Sequence, residues 1–547
     1  MPDKKPPSNA PAKPDAGGGE RPIAREKTLK SKLYMEPIIL GRELLTLDAI
    51  RDVVYRGRQI EVHADALVDV ERAAQFVGEQ AKAGRVIYGV TTGFGANSNT
   101  LIAPADMTKL QEKLLLSHAC GVGDPFPEEV VRAMICMRIN GLLTMHSGAR
   151  ATTVLALASM LNARVHPIIP SQGSVGASGD LCPLAHMGLP LLGLGEVLVD
   201  GLRLEGAKGL EICGLAPITL TYKEGIALLN GTQAQTALAF CATHRLRRLA
   251  DMADAVCAMS LEALCGRGNA FDARLHALRR RAGQMESAAA IRRWTEGSEL
   301  VDRDPDLMPY KRDRIQDPYS IRCAPQVHGA CRDVLAHVED VVLQESNAVT
   351  DNPILFPDAG DIISGGNFHG EPVAMAIDYL KLAIAELANI SDRRCFKLLS
   401  PELSEGLPAF LVDKPGLDSG LMIAQYVTAS LVSDNKVLAH PASVDSIPTS
   451  GNKEDHVAMG AQAGVQAFRM LDNSERVIAI ELIIAAQALD LRMRLDNARP
   501  GFRIAALHKA VREISPFIHQ DRRMSFEIEA VASDLVRRDG KPPGWEL

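Results

Sequence analysis

The sequence predicts a mainly α-helical protein: an elongated helical bundle with a smaller mixed N-terminal region that carries the loops of a functional site. Three observations predict it. The 547 residues are 46% apolar but only 4% aromatic, with Ala and Leu dominant, a composition that suits helix packing better than a sandwich or barrel. Val373, Ile377, Leu380, Ile384 and Leu387 recur at steps of four and three and so share one helical face. Val477 to Ala486 is apolar on nearly every side except at Glu481, and a helix of that kind must be surrounded by other helices.

Taken in order, residues 1–35 are rich in Pro, Lys and Gly and read as a solvated, disordered tail. Residues 36–220 form the mixed region, where short apolar runs such as Val86-Ile87-Tyr88 alternate with Gly-rich turns and helical segments. Residues 221–547 form the central bundle and a C-terminal helical region, with no repeat at a solenoid period. The net charge of −7 leaves no basic footprint for nucleic acid. No apolar run reaches the roughly 18 residues of a membrane span; the best segment, Met187 to Val199, is too short and contains Glu196. Ten cysteines without a CxxC pair read as reduced thiols, and no clustered Cys/His spacing suggests zinc. With no apolar signal region at the N-terminus, a cytoplasmic protein is expected.

One stretch of the mixed region carries chemistry. In Gly173-Ser174-Val175-Gly176-Ala177-Ser178-Gly179-Asp180, three glycines stand at three-residue spacing. A phosphate cradle is one reading. Against it, the preceding Val165 to Pro170 holds two prolines and makes a poor central strand. No Lys-Ser/Thr pair follows, and GxGxxG spacing is absent. A tight structural turn is the second reading, since glycine is the default residue for unusual backbone angles. A third uses Ala177-Ser178-Gly179 together. The Gly179 amide nitrogen attacks the Ala177 carbonyl and closes a five-membered ring. Loss of water from the ring and from Ser178 then leaves an exocyclic methylene conjugated to the ring carbonyl. Small residues on either side permit so tight a closure.

GSVGASGDLCPLAHM resembles the signature of the aromatic amino acid ammonia-lyases, whose electrophile is 4-methylidene-imidazole-5-one (MIO). The resemblance runs from about Tyr34 to the C-terminal region. It implies a fumarase/aspartase-like ammonia-lyase fold and a homotetramer whose sites each draw on three subunits. It also implies an MIO formed from Ala177, Ser178 and Gly179, with no metal or nucleotide. Tyr88, in YGVTTGFG, is implied as the base that takes the β-proton, which requires its phenolate. Asn230, in LLNGTQ, is implied to contact the cofactor and the substrate carboxylate. In QDPYSIR, Arg322 offers a planar fork for that carboxylate, with Gln316 and Tyr319 completing the polar site. Phe368, in GGNFH, is implied to pack beside the electrophile.

Selectivity is read at three places. Ser117-His118 is the pair typical of family members acting on histidine, though some acting on tyrosine share it. Glu454, in SGNKEDH, stands where members acting on Phe or Tyr usually carry Gln, and a carboxylate accepts a hydrogen bond from an imidazole N–H. Met422 also fits the histidine pattern. The family's usual Asn-Ser-Gly-Phe-Met here reads Asp418-Ser419-Gly420-Leu421-Met422, which places an acidic residue and a smaller apolar one close to the expected pocket. The expected activity is elimination of ammonia from L-histidine to give trans-urocanate. A tyrosine or phenylalanine lyase or aminomutase is the alternative, and an inactive helical scaffold with an intact Ser178 is the alternative of another class.

Overall fold

The computed structural model describes residues 35–304, 306 and 315–547; apart from Met35, the expected tail lies outside the described residues. The bundle is built from helices Gln233–Ala263, Ala324–Ser346, Glu371–Leu399, Met422–Leu438 and Gly460–Asp496. The 37-residue Gly460–Asp496 helix packs against the Gln233, Glu371 and Met422 helices. The stripe Val373, Ile377, Leu380, Ile384 and Leu387 is fully buried, and so is every residue from Val477 to Ala486. The mainly helical expectation holds because these positions have no polar face to give to water.

Glu481, the one charge in that apolar run, is wholly buried and held by a partner from the neighbouring helix. Arg394 Nη2 lies 2.8 Å from Glu481 Oε2, and Arg394 Nε donates to Oε1. Ser260 and Ser391 donate to the same carboxylate at 2.8 and 2.6 Å. A carboxylate in so dry a place persists only when paired and hydrogen-bonded. The contact therefore ties three helices to one another by a fixed register.

The N-terminal region is mixed, as its Gly- and Pro-rich sequence implies. Strand Ile38–Leu40 pairs in parallel with Ile60–Val62. His166–Pro167, Glu196–Val199 and Leu202–Glu205 form an antiparallel sheet, with His166–Pro167 at its edge. Pro170–Gln172 pairs separately with Val122–Pro125. The prolines of Val165 to Pro170 thus sit only in short, edge-type pairings, where a missing N–H costs least. The apolar Met187 to Val199 is not one helix. It leaves a helix at Gly188, passes through a 3-10 turn and enters a strand at Glu196. No described helix is long and apolar enough to cross a membrane. One continuous hydrophobic core joins this region to the bundle, from Ile38 to Val536.

Glu481→Gln should strip the charge that balances Arg394 and lower stability by about 3–5 kcal/mol. A urea-unfolding midpoint equal to that of the wild type would contradict this role.

Candidate active site

The Gly173 to Asp180 loop meets the turn before helix Gln233–Ala263 backbone to backbone. Gly179 forms a parallel bridge with Gly231, and the Asp180 N–H donates to the Gly231 carbonyl at 2.7 Å. Gly179 has φ +71°, and a Cβ there would lie 2.3 Å from the Gly231 oxygen. A Cβ on Gly231 would lie 2.3 Å from the Arg138 guanidinium. Gly179 is therefore required both by space and by conformation, whereas a side chain at Gly231 would have to displace the ends of Arg138 and Gln233. Asp180 is completely buried. It accepts from Ser174 Oγ at 2.9 Å and from the Gln235 N–H at 2.8 Å, at the start of the long helix. Burial pushes its carboxyl up to about 6, against the lowering effect of those hydrogen bonds.

Ser178 projects from this loop into a cavity of about 620 Å³. Its Oγ donates to Glu454 Oε1 at 2.8 Å, and Thr449 Oγ1 donates to Glu454 Oε2 at 2.7 Å. The Glu454 loop is docked on the Ser178 loop through the Met459 N–H, 2.8 Å from the Val175 carbonyl. Asn230 caps the C-terminus of helix Glu224–Leu229 and is buried, with its Oδ1 lacking a hydrogen-bond partner. Tyr88 lies edge-on to Phe94 at 6.2 Å, and its hydroxyl oxygen accepts the Gly95 N–H at 3.1 Å. Negative charge left on that oxygen by deprotonation would already have a donor. His118 ends helix Met107–His118, with Nδ1 2.9 Å from the Leu114 carbonyl. That bond leaves Nε2 as the acceptor. Burial lowers the His118 pKa, and the Leu114 carbonyl and Glu454 offset this only in part, so the ring is neutral at neutral pH.

The structure therefore gathers Tyr88, His118, Ser178, Asn230 and Glu454 around one cavity, with Ala177 and Gly179 flanking Ser178 in an adjoining cleft. Gln316, Tyr319, Arg322, Phe368 and Met422 do not line that cavity within the chain. Gln316 and Tyr319 are exposed, Tyr319 by 70%. Arg322 stacks its guanidinium 4.7 Å from the Tyr319 ring, and its buried Nε has no partner. Phe368 and Met422 are half-buried. Asp418 and Leu421 also stay away from the cavity. Asp418 accepts the Asp521 N–H at 2.9 Å and Leu421 is buried in the core.

Three contributors escape motif reading. Asp180 lies inside the glycine motif, but its role as an anchor for the helix at Gln235 depends on a contact 55 residues away. Thr449 orients Glu454 through a short loop pairing. Lys113 lines the cavity from the helix that ends in His118; its only sequence signal is a shared helix.

A sequence model of the family described as aromatic amino acid lyase matches residues 45–513. A histidine ammonia-lyase of Geobacillus sp. (strain WCH70) is 49% identical over 498 residues, covering 91% of this chain and 96% of its own. Among solved structures, a histidine ammonia-lyase from Trypanosoma cruzi superimposes with a TM-score of 0.81 at 39% identity, covering 91% of this chain and 93% of its own. A tyrosine aminomutase from Streptomyces globisporus gives 0.86 at 36% identity, covering 92% and 97%.

The folded Asp180 holds its proton up to pH about 6, against 3.8 unfolded, so acidification through that window binds protons to the folded state first and favours it. Relative to Asp180→Asn, the wild type should gain up to about 3 kcal/mol between pH 6 and 4. Denaturant curves of both proteins across that range measure it; a constant difference between them would refute the burial effect.

Proposed function

The chain belongs to the aromatic amino acid lyase family, and from that premise we propose that it is a histidine ammonia-lyase, converting L-histidine to trans-urocanate and ammonia. It is a carbon–nitrogen lyase acting on a small amino acid. The observation that carries the choice of histidine is Glu454 at the cavity wall, one carboxylate oxygen held by Thr449 and the other beside Ser178. An imidazole N–H satisfies that second oxygen. A phenyl ring would leave it without a partner, a loss of about 1–3 kcal/mol, or roughly five- to 150-fold in preference.

Ala177-Ser178-Gly179 fits an MIO group. The left-handed Gly179 admits no side chain, Ala177 is buried, and Ser178 Oγ reaches the cavity. When formed, the group would supply an electrophilic methylidene carbon, chemistry that makes the substrate nitrogen a better leaving group. Tyr88 takes the β-proton on its hydroxyl oxygen, where the Gly95 N–H supports the charge that the base carries beforehand. The electron pair of the C–H bond becomes the C=C π bond as nitrogen departs with the C–N pair, and the proton taken up by Tyr88 passes to that nitrogen to complete ammonia. The neutral His118 presents Nε2 to a donor of the substrate. Asn230 borders the cavity, and its side-chain N–H donates to the substrate carboxylate. Loss of the Ser178 hydroxyl frees Glu454 Oε1 to receive the imidazole N–H.

The carboxylate clamp, Arg322 with Gln316 and Tyr319, and the packing residues Phe368 and Met422 reach a cavity only when copies of the chain associate. A homotetramer with shared sites accounts for their separation from Ser178. It also accounts for the exposed Ile423, Tyr426, Tyr379 and Phe396 on the two bundle helices Glu371–Leu399 and Met422–Leu438. That none of the ten cysteines forms a disulfide among the described residues supports a cytoplasmic location.

Ser178→Ala should abolish urocanate formation, and only the wild type should weigh two waters less than its sequence. A wild type of full sequence mass with full activity would overturn the electrophile. Glu454→Gln should lower kcat/KM for histidine by roughly five- to 150-fold. Urocanate, coumarate and cinnamate are followed by absorbance. Unchanged histidine turnover, with tyrosine the better substrate throughout, would overturn the choice of substrate.

A further inference from the structure

Outside the catalytic cavity, two imidazoles and a carboxylate converge where the Glu454 loop passes the start of helix Glu371–Leu399. The His369 and His456 rings lie nearly parallel, 13° apart with centroids at 5.7 Å. His456 Nε2 is 3.8 Å from Glu371 Oε2. One donor atom from each of His369, Glu371 and His456 lies within 4.8 Å of the other two. Glu371 Oε2 is shielded from solvent and has no hydrogen-bond partner, although the side chain as a whole is 30% exposed and that of His456 is 65% exposed. Glu371 Oε2 thus keeps a lone pair free for an ion.

From this cluster we propose that His369, Glu371 and His456 form a divalent transition-metal site of the zinc class. Two imidazole nitrogens and one carboxylate oxygen are the donor set that zinc accepts, with a fourth position left to water. Ligand atoms about 2.0–2.1 Å from a tetrahedral ion stand about 3.3 Å apart, so the donor atoms, 3.8 Å apart for His456 and Glu371 and within 4.8 Å for the set, draw together on binding, with His369 exchanging its contact to the Glu371 N–H or the His456 carbonyl for the ion. Hard cations prefer more oxygen donors than this cluster offers. The site has a structural consequence. Ser450, Asn452 and Met459 all adopt left-handed angles, with φ +52°, +66° and +56°. Non-glycine residues keep such angles where their surroundings over-determine them. An ion on His456 would pin this loop, two residues beyond Glu454, to the helix that begins at Glu371.

The test is titration of chelator-treated protein with Zn²⁺ alone, followed by calorimetry and thermal unfolding, in wild type, His456→Ala and Glu371→Gln. One ion per chain is expected in the wild type, with a raised Tm. Each variant should bind about tenfold or more weakly and lose the Zn²⁺-dependent rise in Tm while keeping the wild-type circular dichroism spectrum. No saturable binding in the wild type overturns the proposal. So does equal binding in all three proteins, which would place the ion elsewhere, for instance on cysteine thiols. No substrate is needed, so failure here leaves the lyase reading standing, and an inactive protein that still binds Zn²⁺ through these residues would sink the lyase reading alone.

Discussion

The site depends on a steric constraint: the backbone of Gly179 lies against that of Gly231 with no room for a side chain on Gly179. That contact brings two loops 52 positions apart in the chain within one hydrogen bond of each other. Ser178 is thereby presented to the cavity that Asn230 borders from the other loop. Asp180 secures the arrangement by accepting from Ser174 in its own loop and from Gln235 at the start of the long helix. A buried carboxylate is a costly anchor, and its upward-shifted pKa measures that cost.

The bundle supplies the rigidity behind this contact. The Gln233 and Gly460 helices are buried along most of their lengths and pack on one another. Their first turns border the Ser178 and Glu454 loops, so displacing either helix would displace a wall of the site. Arg394 and Glu481 hold the register deeper in the bundle. The loops that bear Ser178 and Glu454 are thereby anchored to packed helices through Asp180 and Met459, which favours orientation of a small substrate.

Electrostatics divides the labour among residues of similar type. Glu454 and Asp180 are both carboxylates near Ser178, but Asp180 is sealed among backbone donors while Glu454 turns one oxygen to the cavity. His118 stays neutral through burial, whereas His369 and His456 lie at the surface beside an unpaired carboxylate oxygen. Burial and partners, rather than residue type, set each role.

Sequence alone determined the mainly helical class, through the stripe on Glu371–Leu399 and the all-apolar run around Glu481, because helical periodicity and the burial it demands are local properties. Resemblance to the family, rather than the residues taken singly, marked the glycine loop and Tyr88, His118, Asn230 and Glu454, and these side chains do border one cavity. The roles of Asp180, Thr449 and Lys113 were not legible, since each rests on a partner or cavity assembled by the fold. Nor could motifs tell that Gln316, Tyr319, Arg322, Phe368 and Met422 stand apart from Ser178 within one chain. Only the tertiary structure decided those placements, and it decided Glu481's partner as well. Which groups meet across a bundle follows from the packing of distant helices, where every close contact must be made without overlap and every buried charge must find its counterpart.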